Sequence, residues 1–194
     1  MTAYLLPVFA YLLGSVSSAI VIARLFGLQD PREVGSGNPG ATNILRYGGK
    51  KAAILTLLGD VLKGVVPVLI ARALSGDSMV VALTMLATFL GHVFPVFHGF
   101  KGGKGVATAF GALVAMNHWV GLALVGSWLA MAITTRYSSL SAITVSVLAP
   151  VYVWWFVREP VLILATGVMA LVLLWRHRSN IRKLLAGTET KIGR

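Results

Sequence analysis

The chain has 194 residues, with 17 Lys+Arg against 6 Asp+Glu, a net charge of +11, 57% apolar residues and only 12% charged ones. Soluble domains run at about 45–50% apolar and about 25% charged, so this composition excludes an ordinary soluble globule and a disordered chain. It fits one polytopic membrane domain over residues 1–194. The absence of Cys excludes a disulfide scaffold, a thiolate nucleophile and a Cys-ligated metal.

A spanning helix needs about 20 mainly apolar residues. Seven apolar segments answer to this along the chain: 3–26, 52–74, 79–98, 106–116, 119–134, 140–157 and 160–176. The first lacks the basic start of a cleaved signal and runs past the usual length of one. The fourth has 11 residues and rises only about 16 Å at about 1.5 Å per residue. It is expected to be short, tilted or a half-helix. The fold expected is therefore an all-α integral membrane bundle of about seven transmembrane helices. Trp154, Trp155 and Trp175 lie near segment ends, as interfacial anchors do.

Basic residues give the orientation. With the N-terminus outside and the C-terminus inside, every Lys and Arg from Arg24 to Arg194 falls on the inner side except Arg72, Arg158 and the intramembrane Lys63. That is the positive-inside pattern. It also gives the net charge a membrane explanation, so no nucleic-acid partner is expected.

Two inner connections are not ordinary loops. Residues 35–43 read GSGNPGATN, followed by Arg46. Gly permits close backbone approach to a ligand, and Ser36, Asn38, Thr42 and Asn43 add polar groups. Successive N–H groups of such a loop can form an anion nest. Gly99–Gly105 reads GFKGGKG and opens the short apolar segment. A helix N-terminus beside Lys101 and Lys104 suits phosphate. The spacing is not that of a P-loop, because Lys104 precedes Gly105 and His98 stands where the first Gly would be.

Other polar residues stand out. Asp60 and Lys63 lie three apart inside the second segment, as an intramembrane ion pair would. His92 precedes a helix break at Pro95, where it is a candidate base or a support for freed carbonyls. At the C-terminal side, His177 and Asn180 share a helix face, among Arg176, Arg178 and Arg182.

Together GSGNPGATN (35–43), GHVFPVFHGFKGGKGVAT (91–108) and RHRSNIRKLLAGTE (176–189) closely resemble the bacterial acyl-phosphate:glycerol-3-phosphate acyltransferases, the PlsY family. The resemblance covers nearly the whole chain. It implies transfer of a fatty acyl group from acyl phosphate to the 1-hydroxyl of sn-glycerol 3-phosphate, giving lysophosphatidic acid and phosphate. It also implies a multi-pass protein of the bacterial cytoplasmic membrane, with its site on the cytoplasmic face. A peripheral enzyme that makes acyl phosphate is the partner to expect.

On that resemblance, Ser36, Gly37, Asn38, Gly40, Thr42 and Asn43 line a polar wall. Lys101, Gly102, Gly103 and Lys104 grip phosphate. Arg46, His177 and Asn180 orient glycerol 3-phosphate. His177, His92 or a substrate phosphate oxygen takes the proton. Acyl phosphate has a good leaving group, so direct attack needs no acyl-enzyme. No cofactor and no metal are expected, since the inner loops hold only Asp30, Glu33 and Glu189 as acids. An organophosphate transporter is the main alternative. It is disfavoured by the plain outer loops. A phosphatidyltransferase is disfavoured by Asp60 having no acidic neighbours.

Overall fold

A computed structural model describes residues 5–193, and these residues are helical without strands. Ala3 and Tyr4 of the first expected segment, and Arg194, lie outside the described residues. The chain divides into two compact units, Met1–Met116 and Asn117–Arg194.

The first unit holds α1 (Leu6–Gly14), α2 (Ser18–Leu25), α3 (Ala41–Tyr47), α4 (Gly49–Leu74), α5 (Ser78–Val93) and α6 (Val106–Met116). The first expected segment is thus two helices, bent by 43°. The reason is local. Ser15 Oγ donates back to the Tyr11 carbonyl at 2.8 Å, and Ser17 turns out of the helix to cap α2 through the Ile20 N–H. Such side chains compete with the helix ladder.

Close helix contacts in this unit rest on small residues, as membrane bundles favour. A Cβ on Gly14 would meet the Thr88 carbonyl of α5, and one on Gly91 would meet the Tyr11 carbonyl of α1. Between α4 and α6, a Cβ on Gly64 would meet the Thr108 carbonyl and one on Gly111 the Val61 carbonyl. The short α6 therefore lies flat on the 26-residue α4, which offsets its lack of length.

The second unit holds α7 (His118–Thr135), α8 (Ser138–Phe156), α9 (Pro160–Arg176) and α10 (Arg178–Leu185). Asn117 caps α7 by accepting from the Trp119 and Val120 N–H groups. Helix α8 packs on both α7 and α9, and α10 turns from α9 by 57° to return to α8 and α9. The chain end is tied down: the Ile192 N–H donates to the Arg136 carbonyl at 2.6 Å, and the Arg136 guanidinium donates to the Ile192 carbonyl. Among the described residues four helices are long and apolar enough to cross a membrane, or six if each bent pair is one span, with Val106–Met116 shorter. Trp154, Trp155 and Trp175 are exposed, as anchors must be.

Candidate functional site

The Gly35–Asn43 loop is built around one side chain. Asn43 is 2% exposed. Its Oδ1 accepts from the Ser36 N–H at 2.8 Å, and its Nδ2 donates to the Pro31 and Val34 carbonyls at 2.9 and 3.0 Å. The amide is thus engaged with the loop backbone, which makes Asn43 the support of the wall. Gly35 and Gly37 have φ of +63° and +67°, where Gly is unstrained. Pro39 is buried beneath the loop, while Ser36 and Thr42 are exposed, as is Arg46 on α3. Gly40 opens α3 in an extended conformation with Asn38 beside it. Arg32, next to the loop, is held by Asp30 through a two-armed contact with a shortest distance of 2.7 Å. That pairing pulls the Asp30 carboxyl below its ordinary range.

The glycine-rich loop has a different anatomy from a phosphate nest. Pro95 ends α5, leaving orphan carbonyls at its C-terminus. The Gly103 N–H donates to the His92 carbonyl and the Gly102 N–H to the Val93 carbonyl, both at 3.2 Å. These two N–H groups seal the end of α5. Space is the reason for the glycines: a Cβ on Gly102 would meet the His92 carbonyl, and one on Gly103 would meet His92 Nε2. Lys101 is exposed and Lys104 half-buried at the entry to α6.

The two loops meet. The position of a Gly103 Cβ lies 3.0 Å from the Pro39 carbonyl oxygen. The polar wall and the lysine-bearing loop are therefore adjacent, with His92 directly beneath. The sequence placed both loops on one membrane side but had no signal for this contact.

In the second unit, His177 is 2% exposed, with Nδ1 at 2.8 Å from the Leu173 carbonyl. Asn180 Nδ2 donates to Glu189 Oε1 at 2.9 Å, and Ser139 Oγ donates to the same oxygen at 2.9 Å. The sequence assigns no role to Glu189 and gives no signal for Ser139. Nothing in the run SSLS marks Ser139 out, because only the returning tail brings Glu189 to it. Among the described residues no three His, Cys, Asp or Glu side chains gather as metal ligands would.

Comparison with known proteins identifies the family. The sequence pattern of the family named glycerol-3-phosphate acyltransferase matches residues 4–187. A glycerol-3-phosphate acyltransferase of Thioalkalivibrio sulfidiphilus is 58% identical over 95% of this chain and 91% of its own length. One from Methylococcus capsulatus is 53% identical over 98% and 96%. The crystal structure of PlsY (YgiH), an integral membrane glycerol 3-phosphate acyltransferase, in its glycerol 3-phosphate form, has a TM-score of 0.95 at 44% identity, covering 100% of this chain and 96% of that one. Its lysophosphatidic acid form has a TM-score of 0.93. With its sequence matched almost end to end and its helices superposing on those of PlsY, this integral membrane chain belongs to the glycerol-3-phosphate acyltransferase family.

Proposed function

We propose that this protein transfers a fatty acyl group from acyl phosphate to the 1-hydroxyl of sn-glycerol 3-phosphate, releasing lysophosphatidic acid and inorganic phosphate. This would be the first acylation of phospholipid synthesis. Two findings about relatives support the acceptor and the product: related PlsY structures are of a glycerol 3-phosphate form and a lysophosphatidic acid form. The observation that carries the reading to this chain is the contact of its two glycine loops at Pro39 and Gly103, beside Lys104.

The glycerol hydroxyl oxygen attacks the acyl carbonyl carbon. The bond from that carbon to the phosphate oxygen breaks, and phosphate leaves with the electron pair. The hydroxyl proton goes to a substrate phosphate oxygen or to His177. His177, Asn180 and Arg46 orient the acceptor. Lys101 and Lys104 neutralise phosphate charge, and Ser36, Asn38 and Thr42 offer polar groups on the wall that Asn43, Gly37 and Gly40 shape. Catalysis of this kind rests on positioning and fixed charge, so neither cofactor nor acyl-enzyme is required.

The basic inner loops support placement in the bacterial cytoplasmic membrane with this chemistry on the cytoplasmic face. The acyl chain stays in lipid, and a peripheral enzyme supplies the donor. The variants Lys104→Ala and Asn180→Ala test the residue roles: each is expected to lower turnover by about tenfold or more with the fold intact. Full activity in both would remove the assignment. Formation of lysophosphatidic acid from palmitoyl phosphate, compared with palmitoyl-CoA, tests the donor.

A further inference from the structure

A buried cluster of ionisable side chains in the first unit lies below the glycine-rich loop, and the reaction just described does not use it. Lys63 Nζ is 2.9 Å from Asp60 Oδ1 and donates to the Val16 carbonyl at 2.8 Å. His92 Nδ1 is 3.5 Å from the same Asp60 oxygen. Asp60, Lys63 and His92 are 3%, 6% and 7% exposed. Ionisable groups inside a membrane are costly. A buried ion pair often stabilises no better than apolar side chains of the same volume. Stability alone is therefore a poor account of three such groups in contact.

The cluster touches the loop at several points. His92 accepts the Gly103 N–H on its carbonyl, and its ring lies against the Gly103 backbone, where a Cβ would meet Nε2. On the other side, Val16 stands at the break between α1 and α2. There Ser15 Oγ receives the Val96 N–H at 3.3 Å, and Tyr11 donates to the Phe94 carbonyl at 2.9 Å. One chain of polar contacts, buried at Asp60, Lys63 and His92, thus reaches both ends of the segment 94–103. That segment carries the loop up to Lys104 and against Pro39.

We propose that Lys63, Asp60 and His92 are positioning residues that fix the height of Gly102–Lys104 against the Gly35–Asn43 loop. The inference deepens the proposed function and rests on its assignment of this loop to phosphate. His92 acts here through the loop and not as the base, because Nδ1 faces Asp60 and Nε2 faces the Gly103 backbone.

The test compares His92→Ala with His92→Asn, whose amide reaches the place of Nδ1. Steady-state kinetics, thermal midpoint and amide hydrogen exchange are measured on the full chain in lipid nanodiscs. In His92→Ala the KM for glycerol 3-phosphate is expected to rise about tenfold, with kcat changed by less than about threefold. Exchange over residues 99–105 quickens, while α4 and α6 exchange as before. His92→Asn recovers most of both effects. Wild-type KM and exchange in both variants would overturn the proposal. So would a kcat loss of about a hundredfold in both with KM unchanged, which is the signature of a base. If His92→Ala does not fold, the double variant D60N/K63M, which removes both charges together, takes its place with the same expectation and the same overturning result. Lys104→Ala runs in parallel: wild-type kinetics there would remove the phosphate-loop reading itself, whereas a defective Lys104→Ala beside wild-type His92 variants would overturn only the positioning role.

Discussion

The side-chain amide of Asn43 fills the space that a Cβ on Gly35 would need, so the two residues define one another. Gly35 must be Gly for its φ of +63° as well as for this space, and the vacancy lets Oδ1 reach the Ser36 N–H. Removing the amide is expected to loosen the whole wall. In Asn43→Ala one N–H and two carbonyls lose their partner, at a cost of about 1–3 kcal/mol. Asn43→Asp is expected to be worse than Asn43→Ala, because it sets a carboxylate against the Pro31 and Val34 carbonyls. Thermal midpoints and the KM for glycerol 3-phosphate of both variants check the order.

Gly103→Ala is expected to abolish most activity while leaving the helices intact. Its methyl group would collide with the His92 ring and press on the Pro39 carbonyl, so the loops must separate. Gly126 in α7 is the control. Nothing lies within 4 Å of a Cβ there, so Gly126→Ala is expected to leave activity unchanged and to be neutral or stabilising by up to about 0.5–1 kcal/mol. Circular dichroism and turnover on the two variants separate a local clash from general intolerance of substitution.

The carboxylate of Glu189 receives both Ser139 and Asn180. Glu189→Gln keeps a carbonyl oxygen able to accept both hydrogen bonds and is expected to retain most activity. Glu189→Ala removes the acceptor and is expected to lower turnover by about tenfold, through loss of Asn180 orientation. Equal activity in Glu189→Ala and wild type would show that this contact does not orient Asn180.

Not every conspicuous Arg matters. Arg178 is exposed, with its guanidinium 4.7 Å over the Trp175 ring. Its contact is of the kind that anchors a helix end at a membrane surface. Arg178→Ala is expected to change turnover by less than about twofold, measured beside Asn180→Ala on the same helix.

Much of the fold was legible because bilayer helices announce themselves by apolar length. Val106–Met116 was read with the bounds the structure gives it, and Asp60 and Lys63 form the pair that their spacing implied. The bend at Ser15–Ser17 was not legible. It depends on a side-chain bond to Tyr11, on the Ser17 cap and on the Lys63 contact with Val16, and none of these has a sequence period. The two glycine loops were visible as motifs, but the destination of their N–H groups was not. Gly102 and Gly103 look like anion donors in sequence, yet Pro95 leaves carbonyls nearby that claim them. Asn43 reads as a ligand-facing amide and proves to be engaged by three backbone groups. Ser139 stayed hidden because its partner lies fifty residues away.

The most direct measurement is phosphate release by the purified protein in lipid, with palmitoyl phosphate and glycerol 3-phosphate. It is run with each substrate omitted, with EDTA, and with palmitoyl-CoA as the rival donor. The account predicts release only when both substrates are present, matched mole for mole by lysophosphatidic acid and undiminished by EDTA. Lysophosphatidic acid formed from palmitoyl-CoA, with palmitoyl phosphate inert, would contradict it.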